Sequence, residues 1–148
     1  MPLSRGMDRL GKRRGQFADR GGGIGAMLRD QLDQRRADDH AVRAGGLLFC
    51  SGQTPLDPES GELVGDTPAE QATRCLENLQ AVCAAAGAGL SDAVRCTVYV
   101  TDMSAFADVN KAYGKFFASD PPARVTVGVA ALPKGAQVEM DAVIALGD

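Results

Sequence analysis

Two charged side chains stand out in a largely apolar stretch near the end of the chain. Residues 121–146 read PPARVTVGVAALPKGAQVEMDAVIAL, with Arg124 at the head of the first half and Glu139 inside the second. An arginine presents a planar fork that can bind a carboxylate through two parallel hydrogen bonds. A glutamate near an open sheet face can orient or deprotonate a water molecule. These two residue types are therefore suited to bind a small carboxylate and to activate a water beside it.

Each of the two residues also has a purely structural interpretation. An arginine at the start of a strand can pair with an acidic side chain or with a helix C-terminus on the surface. Glu139 alternates with Val138 and Met140, so in a strand its side chain could simply face solvent. The choice between these interpretations depends on the elements that position the two side chains.

The first helix is the best-defined element of the sequence. In TPAEQATRCLENLQAVCAAAG, Thr67 is the predicted N-cap, Pro68 occupies the first helical position and Glu70 completes a capping box. Apolar residues then recur at helical spacing, and Gly87 ends the predicted helix. The apolar stripe consists of Ala72, Cys75, Leu76, Leu79, Val82, Cys83 and Ala86.

The remaining pattern predicts four strands and a second helix. The apolar run 47–50 and the alternating stretch AVRCTVYVT predict two strands, and residues 123–130 and 137–146 supply two more. Residues 102–117 predict a helix whose apolar face holds Phe106, Val109, Tyr113 and Phe117. The order strand, helix, strand, helix, strand, strand predicts an α+β sandwich of two layers, with both helices on one face of the sheet.

The other face of this predicted sheet also needs a cover. Val125, Val127 and Val129 alternate with Arg124 and Thr126, and the last two strands are apolar on both sides. A lone two-layer domain would leave such a face in water, and exposed apolar patches of this kind mark association surfaces. Self-association is the simplest way to cover it.

Composition divides the chain into a basic N-terminal part and an acidic body. Residues 1–43 carry ten of the 16 Lys and Arg and six Asp, whereas the rest of the 148-residue chain carries six basic and thirteen acidic side chains. An acidic body argues against nucleic acid as the main partner, because phosphate binding needs a basic face. Residues 1–40 show no sustained periodicity of apolar residues, which predicts a poorly ordered extension. One folded domain is therefore expected at 41–148.

The cysteines and the single histidine predict no metal site. Cys50, Cys75, Cys83 and Cys96 form no CxxC pair, and His40 is the only histidine. No apolar signal segment or membrane span is apparent, and the aspartates scattered through the extension disfavour a mitochondrial targeting segment. These features predict a cytoplasmic protein with free, buried thiols.

Three segments of the acidic body resemble the RidA/YjgF family of enamine/imine deaminases. They are LLFCSGQTPLDPESGELV, TVYVTDMSAFADVNKAY and PPARVTVGVAALPKGAQVEMDAV, and the resemblance covers about Ala41 to Leu146. It implies a chorismate-mutase-like (bacillary type) α+β fold and a homotrimer whose sheets face inward. It also implies clefts between adjacent subunits, each holding an arginine that binds the substrate's carboxylate.

The resemblance also assigns roles to individual residues. Arg124 matches the family's carboxylate-binding arginine, and Glu139 matches the glutamate after the LPKGA turn that is thought to position the water. Ser51 and Gly52 match the SGQ segment that lines the cleft and contacts substrate. Thr126 stands where many members have a cysteine, and completes the expected substrate-binding set.

The sequence departs from the family pattern before residue 41. Members of the deaminase branch usually carry a Gly-Pro-Tyr-Ser-Gln segment there, whereas this chain reads ADDHAVRAGG, with Asp38 at the position of the tyrosine. Two outcomes are open: Asp38 competes with the substrate for Arg124, or the extension leaves the cleft wetter and more open. We expect the second, because RRADDH has no apolar residue apart from its alanine to anchor Asp38.

The function implied by the resemblance is hydrolysis of reactive 2-imino or 2-enamino acids, such as 2-aminoacrylate or 2-iminobutanoate. The products are 2-oxo acids and ammonia, and the class is that of a 2-iminobutanoate/2-iminopropanoate deaminase working without metal or cofactor. The main alternative is a trimeric protein that binds small carboxylates or a client protein without turning them over. A ribonuclease, an activity ascribed to some relatives, fits poorly with the acidic body and the single histidine.

Overall fold

The structure is a computed structural model and describes residues 40–147 of the chain. The predicted extension, including Asp38, lies outside the described residues apart from His40. The strands are β1 (Ala41–Ala44), β2 (Leu47–Gln53), β3 (Ala93–Val100), β4 (Ala123–Gly128) and β5 (Val138–Ala145). The helices are α1 (Pro68–Ala85) and α2 (Phe106–Gly114), and short 3-10 turns precede β3, α2 and β5.

All five strands form one mixed sheet in the order β1-β2-β5-β3-β4. β3 and β4 run parallel, whereas every other neighbouring pair is antiparallel. Helices α1 and α2 pack on each other and α1 packs on the central strands β2 and β5, so the predicted α+β architecture of two helices on one sheet is confirmed. The sequence pattern missed β1, which is only four residues long and pairs with β2 through a tight turn at Gly45 and Gly46.

Helix α1 begins and ends as its sequence predicts. The Thr67 hydroxyl accepts a hydrogen bond from the Glu70 backbone N–H, and the Glu70 carboxylate accepts one from the Thr67 backbone N–H, which completes the capping box. The helix stops at Ala85, and Gly87 adopts a positive φ of 78° that a residue with a side chain rarely adopts.

The core lies between the helices and the covered face of the sheet. In β5, Val138, Met140, Ala142 and Ile144 are fully or almost fully buried, and the residues between them are half-buried on the opposite side. This period of two is the expected alternation of a strand with one covered face. The four cysteines are buried in this core as free thiols, as the sequence predicts.

The opposite side of the sheet, here called the open face, is apolar and uncovered in the single chain. Val42 lies beside Phe49 in the register of β1 and β2, while Val125 and Val127 alternate along β4. The Phe49 side chain is 45% exposed, which is unusual for a phenylalanine in a strand. The open face therefore exposes apolar side chains to solvent in the single chain, and self-association through it stays a prediction.

A buried pair of amide side chains fastens the segment 54–66 to α1. The side-chain amide of Asn78 donates to the carbonyls of Thr54 and Leu56 at 3.1 and 3.0 Å. The Gln71 amide donates to the Gly65 carbonyl and its oxygen accepts from the Gln137 backbone N–H. Neither helix of the described chain is long and apolar enough to cross a membrane.

Candidate functional site

Arg124 lies at the start of β4 on the helix-covered side of the sheet. Its register partner in β3 is the buried Cys96, and its side chain runs over the edge of the core towards α2. Nη1 donates a 2.6 Å hydrogen bond to Oδ1 of Asn110. The guanidinium carbon lies 4.7 Å from the centroid of the Tyr113 ring and 5.8 Å from that of Phe106. The arginine is therefore held by one amide and two aromatic rings.

This environment keeps the arginine available for a ligand. Among the described residues 40–147, no acidic side chain forms a salt bridge with Arg124, whereas Arg74 pairs with Glu77. A guanidinium has five N–H donors, and one of them is directed to Asn110. The aromatic rings stabilise the cation without neutralising its charge. A guanidinium whose charge is not neutralised can bind a carboxylate through two parallel hydrogen bonds.

Thr126 shares the side of β4 that carries Arg124. It is half-buried, and its register partner is the buried Val98. Beyond it, the Met103 side chain lies against Gly128, where a Cβ would be 3.1 Å from Met103 Cγ. Arg124 and Thr126 therefore lie in a row at the edge of the sheet, next to the exposed side chains of Met103 and Phe106.

Glu139 lies on the other side of the sheet, on the open face. It belongs to β5, and its carboxylate lies directly over Gly52 in β2, so closely that a Cβ at Gly52 would overlap Glu139 Oε1. A bulge in β2 between Cys50 and Gln53 brings this backbone under the carboxylate. The structure therefore brings Glu139 together with the Ser51–Gly52 segment.

The surroundings of Glu139 favour its protonated form. Partial burial is the main cause that raises the pKa of this carboxyl, and the neighbouring Asp141 carboxylate raises it further. A carboxylate that binds a proton more readily than usual is a better base near neutral pH. Burial and the Asp141 charge therefore both increase the affinity of Glu139 for a proton.

The two halves of the candidate site do not meet within one chain. Arg124 and Thr126 lie on the helix-covered side of β4, whereas Glu139, Ser51 and Gly52 lie on the open face around β5 and β2. Strand β3 and the thickness of the sheet separate them. A ligand bound to Arg124 cannot contact Glu139 of the same chain.

Comparison with known proteins identifies the family. The sequence model of the family described as Endoribonuclease L-PSP matches residues 31–146. The RutC family protein y4sK of Sinorhizobium fredii is 52% identical over 106 residues, which cover 72% of this chain and 84% of that protein. The human 2-iminobutanoate/2-iminopropanoate deaminase is 40% identical over 107 residues, or 72% of this chain and 78% of that protein. The chain belongs to the RidA/YjgF family, whose members are also described as Endoribonuclease L-PSP.

A solved structure of a RidA/YjgF relative is similar in fold as well as in sequence. The crystal structure of TdcF from E. coli, with serine bound, is 36% identical to this chain. It aligns with a TM-score of 0.70 over 74% of this chain and 88% of that one. The α+β fold of this RidA/YjgF chain is therefore one that is known from experiment.

Sequence reasoning missed several residues that touch the two halves of the site. It placed Tyr113 on the apolar face of the predicted second helix and gave Asn110, in the same helix, no role at the site, whereas both contact the Arg124 guanidinium. It also passed over Asp141, which shares the open face with Glu139, and Tyr99, whose hydroxyl donates to Asp141 Oδ2 at 3.0 Å. The spacing Glu-Met-Asp in β5 was an available signal, since residues two apart in a strand share a face.

Among residues 40–147, the other side chains able to act as metal ligands or nucleophiles include the four buried cysteines and His40. No group of three or more His, Cys, Asp and Glu in the described part of the chain is arranged to hold a metal ion. Burial raises the pKa of the Cys96 thiol to about 11, which makes it a poor nucleophile. His40 Nδ1 lies 3.5 Å from the Gln53 amide nitrogen, at the end of β2.

Proposed function

We propose that this protein hydrolyses short 2-imino and 2-enamino acids to 2-oxo acids and ammonia. The observation that carries the proposal is Arg124, whose guanidinium is held by Asn110 and Tyr113 without an internal carboxylate partner among the described residues. Membership of a family with deaminases 40% identical to this chain supports the same activity. The bound serine of TdcF, a small amino-acid carboxylate, supports this class of ligand.

In the proposed reaction, Arg124 binds the carboxylate of the substrate and fixes the imine carbon beside a water. Glu139 takes a proton from this water as its oxygen bonds to the imine carbon, and the carbon–nitrogen double bond becomes a single bond. Glu139 then delivers this proton to nitrogen, which gives a carbinolamine. The hydroxyl proton of the carbinolamine passes through the Glu139 carboxylate to the amino nitrogen as the carbon–nitrogen bond breaks, so ammonia leaves and the carbonyl forms. An enamine needs one additional step, protonation at C3, to become the imine. The protein supplies position and proton transfer, since the imine carbon is already electrophilic.

We propose that the site is completed by two copies of the chain in a homotrimer with a chorismate-mutase-like arrangement. Arg124 and Thr126 of one copy would meet Ser51, Gly52 and Glu139 of the next. The separation of the two halves in a single chain supports this assembly, as does the exposed apolar open face. Light scattering tests it: we expect three times the chain mass of 15.4 kDa, and Phe49→Glu should yield folded monomers.

The activity is tested by coupling the protein to a threonine dehydratase that releases 2-iminobutanoate. Wild-type protein should accelerate the appearance of 2-oxobutanoate above the spontaneous rate. Arg124→Ala and Arg124→Lys should lose this acceleration while circular dichroism shows an intact fold, because lysine lacks the planar fork. Undiminished turnover by Arg124→Ala would remove the mechanism. Binding of 2-oxobutanoate without acceleration by the wild type would instead identify a carboxylate-binding protein.

A further inference from the structure

The open face carries a second polar pair beside Glu139. Tyr99 in β3 is the direct cross-strand partner of Glu139, and Asp141 lies two residues further along β5 on the same face. The Tyr99 hydroxyl reaches diagonally across the two strands and donates to Asp141 Oδ2 at 3.0 Å. Thr97, the direct cross-strand partner of Asp141, lies beside them on the same face, so a polar group interrupts the apolar open face at this point.

Within one chain, few charged and titratable groups surround Glu139. In the proposed trimer, Arg124 of the next copy would also face it, equally in wild type and in the variants below. From β3, Glu139 faces the Tyr99 phenol, and from its own strand the Asp141 carboxylate. From β2, the backbone of Ser51 and Gly52 lies against the Glu139 carboxylate. From α1, the Cys75 thiol lies on the covered side of the sheet, and the Glu139 charge contributes to the raised pKa of this thiol. Within residues 40–147, Asp141 is the one charged group that contributes to the altered proton affinity of Glu139.

The hydrogen bond from Tyr99 fixes where the Asp141 charge is located. A free aspartate on a strand can rotate its carboxylate into solvent, where water screens its field. A phenolic donor at 3.0 Å favours the rotamer seen here, on the row that Glu139 also occupies. Partial burial of the Tyr99 hydroxyl, followed by its hydrogen bond to Asp141, raises the pKa of this phenol, so it remains a donor at neutral pH.

We propose that Asp141 is a positioning residue of the candidate site. The Tyr99 hydroxyl orients the Asp141 carboxylate, and the charge of this carboxylate acts on Glu139 when Glu139 takes up or releases a proton. The catalytic consequence rests on the proposed function. The electrostatic coupling between the two carboxylates does not, and it can be measured in a protein that turns nothing over.

The direction of the coupling follows from Coulomb's law. A negative charge at Asp141 disfavours a second negative charge at Glu139, so Glu139 holds its proton to a higher pH. Asp141→Asn removes the charge but keeps an oxygen that can accept the Tyr99 hydrogen bond. The titration midpoint of Glu139 should therefore move to lower pH. Part of the elevation should remain, because partial burial of the carboxyl is the larger cause.

The experiment is a pH titration of the Glu139 side-chain carboxyl carbon by NMR in the full-length protein. Asp141→Asn should lower the midpoint, and Tyr99→Phe should lower it by a smaller interval, because the Asp141 carboxylate becomes free to turn away. Glu59→Gln removes one negative charge at an exposed position of the 54–66 segment and serves as the matched control, with no movement expected. A midpoint that stays in place or rises in Asp141→Asn would overturn the proposal.

The pH profile of kcat/KM separates this proposal from the proposed function. If the wild type turns over 2-iminobutanoate, the acidic limb of the profile should move in Asp141→Asn in the same direction as the NMR midpoint. A wild type without turnover whose Glu139 midpoint still moves would refute the deaminase function and support the coupling. Turnover with an unmoved midpoint would refute the coupling and leave the function intact.

Discussion

The Arg124 guanidinium and the Asn110 side chain form a 2.6 Å hydrogen bond that links the edge strand β4 to helix α2. The amide oxygen of Asn110 carries no net charge, so it orients the guanidinium without competing for the ligand. An aspartate in its place would form an ion pair with Arg124, and that ion pair would have to be broken or shared on binding.

Substitution of Asn110 tests this arrangement. We expect Asn110→Ala to weaken the binding of 2-oxobutanoate several-fold, because the arginine loses its anchor. Asn110→Asp should weaken binding further, by roughly tenfold to a hundredfold. This factor corresponds to the loss of one charge-assisted hydrogen bond, which contributes about 1.5–3 kcal/mol to binding. Calorimetric titration measures both affinities. Equal or tighter binding by Asn110→Asp would show that the neutral amide is not required.

Gly52→Ala should disable the other half of the site. The new methyl group would overlap the Glu139 carboxylate and displace it from its place over β2. A displacement on the scale of a methyl group can lower turnover on the order of a hundredfold. Gly114→Ala is the matched control, since nothing lies within 4 Å of a Cβ at that helical position. It should keep full activity and gain up to about 1 kcal/mol of stability. Full activity in Gly52→Ala would contradict the assigned place of Glu139.

Glu139 should lower the stability of the protein at neutral pH. Because its pKa is raised on folding, the folded state is favoured below the ordinary carboxyl pKa and loses this contribution as the pH rises through the raised value. Glu139→Gln cannot ionise, so it should melt at a higher temperature than wild type at neutral pH. The gain should stay below about 1 kcal/mol, because the carboxyl keeps contact with solvent.

Thermal melts at several pH values check this sign. The difference in Tm between Glu139→Gln and wild type should shrink as the pH falls below the ordinary carboxyl range. Glu59→Gln, at an exposed position, should show no such trend. A Glu139→Gln protein that is less stable than wild type at neutral pH would contradict this prediction and would mean that a cation, such as Arg124 of the neighbouring copy, outweighs the effects of burial and of Asp141.

A site shared between copies allows two inactive variants to rescue each other. Arg124→Ala lacks the carboxylate-binding half, and Glu139→Gln lacks the proton-transfer half. When the two are refolded together in equal amounts, about a quarter of the sites should combine an intact Arg124 with an intact Glu139. The mixture should recover about that fraction of wild-type turnover. No recovery from a mixture shown to contain mixed oligomers would place both residues in the same subunit's site.

Several features of the fold could be predicted because they depend on local pattern. Short runs of neighbouring residues determine both the capping box at Thr67 and Glu70 and the alternation of buried and half-buried residues in β5. Both features are present in the structure. Strand β1 was missed because four residues are too few to display a period of two. Its pairing with β2 depends on the glycine turn at Gly45 and Gly46 rather than on its own composition.

The composition of the site depends on register, which a single sequence does not reveal. Alternation places Arg124 and Thr126 on one side of β4, but it does not say which side the helices cover. The approach of Glu139 to Gly52 requires the bulge in β2, and the Tyr99–Asp141 hydrogen bond is diagonal across two strands. These contacts arise from the order of strands in the sheet, so their residues could be found only after the sheet was assembled.

The buried amides of Gln71 and Asn78 hold the segment 54–66 in place, although its backbone is irregular. Four hydrogen bonds from these two side chains and from Lys134 hold the carbonyls of this segment against the folded body. A protease needs an extended, detachable stretch of chain, and this stretch cannot detach without leaving two amides unsatisfied in the core. The segment that follows the Ser51–Gly52 backbone should therefore resist cleavage and exchange its amide hydrogens slowly, as if it were a regular strand.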